Sequence, residues 1–152
     1  PEQAIRAARQ SACPCIGNWA QVRSSQSFTI KRPMKLGKLT SADRSSVVIA
    51  HVLRTTNPWD RLRGLLARPP LAHGHGLLLD PCASVHTFFM RYPIDVVYLD
   101  RDFVVTKLVV ALKPWRMSAA RGSSMTLELA AGSALKLGLQ VEQALLWQTH
   151  SH

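Results

Sequence analysis

Beyond residue 45 the apolar positions fall into short runs separated by polar, glycine or proline breaks, the spacing expected of a strand-rich chain. Ser45–Leu53 carries Val47, Val48, Ile49 and Val52, β-branched residues that suit a pleated surface, and reads as the first strand. Leu77–Leu79, Val85–Met90, Ile94–Leu99 and Phe103–Leu112 follow, with Asp100-Arg101-Asp102 as a hairpin turn between the last two. Met125–Leu129 alternates as a half-buried strand would, which puts Glu128 on a solvated face or opposite an arginine. Gln143–Gln148 supplies the seventh strand.

Two short helices interrupt this pattern. Asn57 is a candidate N-cap, Pro58 suits the first helical position, and Asp60 follows three residues after the cap. Trp59, Leu62 and Leu66 then share one face, Asp60, Arg61, Arg63 and Gly64 lie on the other, and Pro69-Pro70 ends the helix. Ser133 is placed to cap a second helix over Ala134–Leu137, closed by Gly138. Seven short strands with two helices predict an all-β sandwich or barrel.

The first 33 residues show neither period, so residues 1–38 are expected to be a disordered extension, 39–148 a single domain and 149–152 a tail. Met34 opens an ordinary start, M-K-L-G-K-L-T, and residues 1–33 are read as an extension or as translated upstream sequence. Cys13-Pro14-Cys15 lies in this segment and lacks the second ligand pair of a zinc site. No apolar run approaches the ~18 residues of a membrane span, and no secretory signal is visible. With three cysteines, an odd count, the expected setting is a reducing cytoplasm. The whole chain carries +10, but residues 1–38 hold seven basic and one acidic residue while 39–152 hold twelve and eight. Most of the excess therefore belongs to the leader, and the domain is only mildly basic.

Four strings stand out: W-D-R-L-R-G-L-L-A-R-P-P-L (Trp59–Leu71), G-L-L-L-D-P-C-A-S-V-H-T-F-F-M-R-Y-P-I-D-V-V-Y-L-D (Gly76–Asp100), A-L-K-P-W-R (Ala111–Arg116) and L-E-L-A-A-G (Leu127–Gly132). In this order they resemble domain-of-unknown-function family 192, an uncharacterised and mostly bacterial family, over roughly Leu53 to Leu146. The resemblance implies a compact β-sandwich of jelly-roll-like shape and no agreed activity, substrate or cofactor. The chain departs from the family pattern in two places. Members usually carry Gly after the hairpin Asp, where Phe103 stands here, and Gly-Asp where Val141-Glu142 stands here.

Candidate chemistry centres on His86 to Asp95. Strand alternation would put His86, Phe88 and Met90 on one face and Thr87, Phe89 and Arg91 on the other. His86 could line a pocket mouth with Arg61 or Arg63, or be a hydrogen-bonded residue at the core edge. Arg91 and Asp95 flank Pro93, as an ion pair or turn bond or as groups that meet a small polar ligand. Trp115-Arg116 reads as a loop anchor or as a lid over the end of the sandwich. Cys82, His86 and Met90 offer soft-metal ligands, but positions four apart on a strand sit ~13 Å apart. His73-Gly-His75 reads as a solvated turn. No metal or cofactor is expected, and no nucleophile elbow, metalloprotease helix or phosphate loop is present.

The sequence thus predicts a non-catalytic binding or accessory module whose Arg61, Arg63, His86, Arg91, Asp95 and Arg116 line a pocket for a small anionic group. The alternatives are a hydrolase using His86 with Asp95 or Asp60, and a weak, salt-dependent nucleic-acid binder. Nucleic acid is not the expected partner, since aromatic platforms among the basic residues are not evident.

Overall fold

A computed structural model describes residues 34–42, 46–57, 59, 64–65 and 69–149. The chain divides into two units, Pro1–Lys31 and Arg32–His152, and the described residues all belong to the second. They form nine strands and one helix: β1 Lys35–Ser41, β2 Val47–Thr55, β3 His75–Leu79, β4 Ser84–His86, β5 Ile94–Leu99, β6 Val105–Leu112, β7 Met117–Ala119, β8 Met125–Ala130, α1 Ser133–Lys136 and β9 Leu145–Thr149. Seven strands make one sheet in the order β6-β5-β8-β3-β2-β1-β9, and β4 and β7 pair separately.

The all-β class agrees with the sequence pattern, with a large sheet and a small one rather than a closed barrel. The large sheet curls until residues flanking its two edge strands touch at one end, through a bridge between Val104 and Ala144. All its strand pairs are antiparallel except β2 with β3, which run parallel with Leu53 opposite Leu77. A parallel pair requires a crossover. Residues 56–74 supply it, and the helix predicted from Asn57 falls within this connection. The Asn57 Oδ1 accepts the Trp59 amide at 3.1 Å, as a capping residue should. Of the rest of that predicted helix only Gly64 and Leu65 are described, both buried and in a turn, and Trp59 is 76% exposed rather than part of a buried face.

Alternation divides the central strands between two cores. On the inner side of the curl, Val97 and Leu99 of β5, Leu127 and Leu129 of β8 and Leu78 of β3 pack with Leu39, Ile49, Val52, Val105 and Leu145. On the outer side, Ile94, Val96 and Tyr98 of β5 and Leu77 and Leu79 of β3 pack with Val85 of β4, Met90 and Leu65 of the crossover. Both faces of β5 and β8 are therefore covered. Glu128, expected on a solvated face, is buried, because alternation turns it away from Leu127 and into the outer core.

Three further expectations change. Strand β1 begins at Lys35, within the segment assigned to the extension, and pairs with both β2 and β9. Strand β4 stops at His86 instead of running to Met90, for reasons given below. Helix α1 opens on Gly132, at φ 78°, with no side-chain cap. The amide of Ala134 is instead accepted by the Asp95 carboxylate of β5, and the Ser133 hydroxyl meets His73. At the other end Gly138, at φ 65°, acts as predicted: its amide bonds Leu135 and that of Leu139 bonds Ala134, a Schellman closure.

Both departures from the family pattern sit in left-handed turns. Phe103 has φ 62°, where the family's glycine would be unstrained; at the second departure the left-handed residue is Glu142, at φ 70°, which stands at the family's Asp, while Val141 stands at its Gly. Phe103 compensates with contacts. Its ring lies 5.7 Å from the Arg54 guanidinium, which also lies 5.7 Å from Trp147 and forms an ion pair with Asp80.

Candidate functional site

The small β4–β7 sheet ends in two loops, residues 87–91 and 113–116, held side by side by Thr87. This residue is fully buried, and its hydroxyl donates to the Lys113 carbonyl at 2.7 Å and accepts the Arg116 amide at 3.0 Å. Its backbone carbonyl accepts the Trp115 amide at 3.0 Å and the Met90 amide at 3.2 Å. These bonds turn the chain inward directly after His86, which is why the predicted strand ends there. The turn then leaves Phe88 half-buried, Phe89 71% exposed and Met90 in the core.

Phe89 and Trp115 are held at φ 63° and 60°. Bulky residues avoid this region, at a cost of about 1–2 kcal/mol each, and such strain concentrates at functional sites. The two rings meet edge-on at 4.7 Å, Trp115 lies 5.9 Å from Phe88, and Phe88 stacks on the His86 imidazole at 5.2 Å. The result is a continuous row of four rings, His86, Phe88, Trp115 and Phe89. Its outer members are open to solvent, with Trp115 55% exposed and Met117 beside it 70% exposed.

At the inner end of this row the His86 Nδ1 is buried without a hydrogen-bond partner. Arg116 directly precedes Met117, which pairs with His86 across the small sheet. The Arg116 side chain is exposed and donates to the Trp115 carbonyl at 3.1 Å. Arg91 and Lys113, also exposed, lie on the same two loops. Arg116 thus stands just ahead of the strand that pairs with His86, with Arg91 on the adjoining turn. Arg61, Arg63 and Asp60 lie outside the described residues.

Asp95 is placed elsewhere. It shares the inner face of β5 with Val97 and Leu99, whereas β4 packs over the outer face. Its two carboxylate oxygens accept the amides of Ala111 at 2.8 Å and Ala134 at 2.9 Å. They are occupied by backbone rather than by Arg91, so the expected ion pair is not formed. A His86–Asp95 acid–base pair is likewise not assembled, because the sheet stands between the two residues.

Beneath the small sheet the outer core has a polar floor. Glu128 lies between Leu77 of β3 and Val96 of β5. Gly64, expected on an exposed helix face, is buried over it: a Cβ there would stand 3.3 Å from both carboxylate oxygens, so glycine permits the close approach. Tyr92 and Tyr98 both titrate above the ordinary phenol value. For Tyr92 burial is the main cause and the Glu128 charge adds to it. For Tyr98 burial again leads; the Ser118 side chain partly offsets it, and Cys82 and Glu128 add to it.

The soft-metal candidates are dispersed. The Cys82 thiol donates to the Ser84 carbonyl at 3.0 Å, and Met90 packs in the core. His73 and His75 also part: the first contacts Ser133 at 2.9 Å, and the second stacks on His51 at 4.9 Å. Among the described residues no group of three His, Cys, Asp or Glu is placed to hold a metal ion. Nor is any helix there long and apolar enough to cross a membrane.

Sequence reasoning missed Thr87, the exposed ring row and the buried Glu128. Thr87 leaves no composition signal, since its role depends on carbonyls 26 and 29 residues away. The adjacent Phe88-Phe89 and the Pro-Trp-Arg string were the only hints of the rings.

The model of domain-of-unknown-function family 192, described as Uncharacterized ACR, matches residues 39–147. The chain belongs to this family. As a member of family 192 it is 54% identical over 35 residues to UPF0127 protein PH1112 of Pyrococcus horikoshii, a match spanning 23% of this chain and 30% of that relative. Two crystal structures share the fold. One, from Sinorhizobium meliloti, is provisionally described as a transcription regulator; it is 23% identical, with a TM-score of 0.63 over 74% of this chain and 92% of its own. The other, a protein of unknown function from Novosphingobium aromaticivorans, is 19% identical, with a TM-score of 0.62 over 74% of this chain and 84% of its own. At these identities the likeness is one of fold. The family 192 assignment accordingly brings an architecture and no activity.

Proposed function

We propose that this family 192 domain is a non-catalytic binding or accessory module that receives a small anionic group between His86 and Arg116, with Arg91 contributing from the adjoining turn. The observation that carries this reading is the buried, unpartnered Nδ1 of His86. A buried polar atom without a partner costs about 1–3 kcal/mol, and native structures retain few of them without a reason. Turned towards the loop mouth, the imidazole would find the missing bond in a ligand oxygen, and the Arg116 guanidinium would meet its charge. Arg61 and Arg63 remain part of this proposal as further cations of the mouth.

The test is a thermal-shift titration of the full chain with inorganic phosphate and acetate at low salt. Binding raises the melting temperature with concentration, and His86→Ala removes the shift while leaving the circular dichroism spectrum unchanged. Absence of any shift, or a shift that survives His86→Ala, defeats the reading. The hydrolase alternative has lost its His86–Asp95 pair and rests on Asp60. The nucleic-acid alternative, towards which the description of the S. meliloti protein leans, requires affinity that falls steeply with salt and does not depend on His86.

A further inference from the structure

We infer that the ligand of this mouth carries a flat ring next to its phosphate, as a nucleotide does, whether free or as a unit of a single strand. The inference rests on the anion reading above and adds a second subsite to it. An anion alone would need His86 and Arg116; it would not need Trp115 and Phe89 beyond them.

The rings are placed for a task that the fold itself does not require. Phe89 is 71% and Trp115 55% exposed, so neither fills the core. Both nevertheless adopt a backbone conformation that bulky residues avoid, fixed by the Thr87 hydrogen bonds at the loop bases. The two exposed rings are thereby held in place in advance, and a preorganised surface binds with less ordering cost than a mobile one. Phe88 is the spacer that connects them to the His86 imidazole.

The charges around the row agree. Among the described residues the sole ion pair is that of Arg54 with Asp80, which leaves Arg91, Lys113 and Arg116 exposed with no carboxylate on them. Aromatic faces for heterocycles combined with unpaired cations for phosphates are how proteins hold nucleotide units without reading their sequence. An acidic peptide would use the cations and leave the row of planar faces without a purpose.

The experiment titrates the full chain, by calorimetry at low salt, with inorganic phosphate, with adenosine and uridine monophosphates, and with a deoxythymidine oligomer. The monophosphates are expected to bind roughly tenfold or more tightly than phosphate, the scale of one stacked base. Trp115→Ala and, separately, Phe89→Ser should abolish that advantage and leave phosphate binding intact; Phe89 is exposed enough for its replacement to spare the fold. An oligomer that binds more tightly per unit, with a steep salt dependence, identifies a strand as the source, and equal binding per unit identifies the free nucleotide. Monophosphates no tighter than phosphate overturn this inference and leave the anion reading standing. No binding by phosphate or monophosphate overturns both. Polyglutamate that binds with the same Trp115 dependence, where the monophosphates fail, overturns the inference in favour of an acidic peptide.

Discussion

Asp95 and His86 sit on opposite sides of the same strand layer, and their surroundings satisfy them to very different degrees. The Asp95 carboxylate has both oxygens occupied, one by the amide of Ala111, which itself has φ 50°, and one by the first turn of α1. The His86 ring has its Nδ1 buried and unmatched, and it opens onto a row of strained, exposed aromatic residues. One side is a finished structural joint, the other a surface with capacity left over. Residue type did not separate them: a carboxylate and an imidazole nine residues apart in a recognisable string look equally functional until their partners are known.

The contrast is most exposed to failure at Asp95. Replacing it with Ala leaves two backbone amides without acceptors and should cost about 3 kcal/mol, since each unsatisfied donor costs about 1–3. Urea unfolding measures this, and a loss under 1 kcal/mol would dissolve the distinction. Thr87→Val comes next: it removes the hydroxyl that joins the two loops, with an expected loss of about 1–2 kcal/mol and a change in Trp115 fluorescence. His86→Ala, by comparison, should leave stability almost unaltered.

Much of the large sheet was legible because its strands carry their own signal. Ile94–Leu99 and Met125–Ala130 are apolar or β-branched at nearly every position, and each formed within a residue of its predicted bounds. Strand β1 escaped notice because K-L-G-K-L-T-S has one β-branched residue, two lysines and a glycine. Its strand character comes from neighbours on both sides, which composition cannot report. Parity along Met125–Leu129 correctly turned Glu128 away from the leucines. It could not say that a second core waits on the far side. The same limit misplaced Asp95, because alternation gives a residue's face relative to its own strand and not what covers that face.

A smaller effect probes the polar floor. The chain has only two tyrosines, so an alkaline absorbance titration reads Tyr92 and Tyr98 without interference. Both should ionise above the ordinary phenol value of about 10, and Glu128→Gln should bring both down by removing a neighbouring negative charge. Because the folded state holds these protons more tightly than the unfolded chain, their contribution is fully present below about pH 10. It is lost as pH rises further through the folded values, which denaturation at pH 9 and pH 11 would display.

The smallest effect compares strain on the two sides. Glu142→Gly relaxes a left-handed residue in an ordinary exposed turn and should stabilise the fold by about 0.5 kcal/mol, the relief exceeding the added chain entropy. Phe89→Gly should be similarly gentle to the fold, as judged by melting temperature, yet eliminate the extra affinity for a ring-bearing ligand. If it instead destabilises the protein markedly, the aromatic row is scaffold.

The bridge between Val104 and Ala144 also bears on how the protein avoids self-association. Unpaired backbone along an edge strand is a template for intermolecular pairing and aggregation. Here the segments flanking β6 and β9 are tied together by bonds from Val105 to Gln143, Glu142 to Val105 and Leu145 to Phe103. Part of each border is thereby withdrawn from recruitment by a neighbouring molecule. Lys107 of the edge strand β6 reaches over the Tyr98 ring to the Ala119 carbonyl of β7 and so keeps its charge on the outer face of the sheet. Contacts with other molecules are therefore steered towards side chains, and the loop tips around Trp115 are where the fold leaves them most exposed.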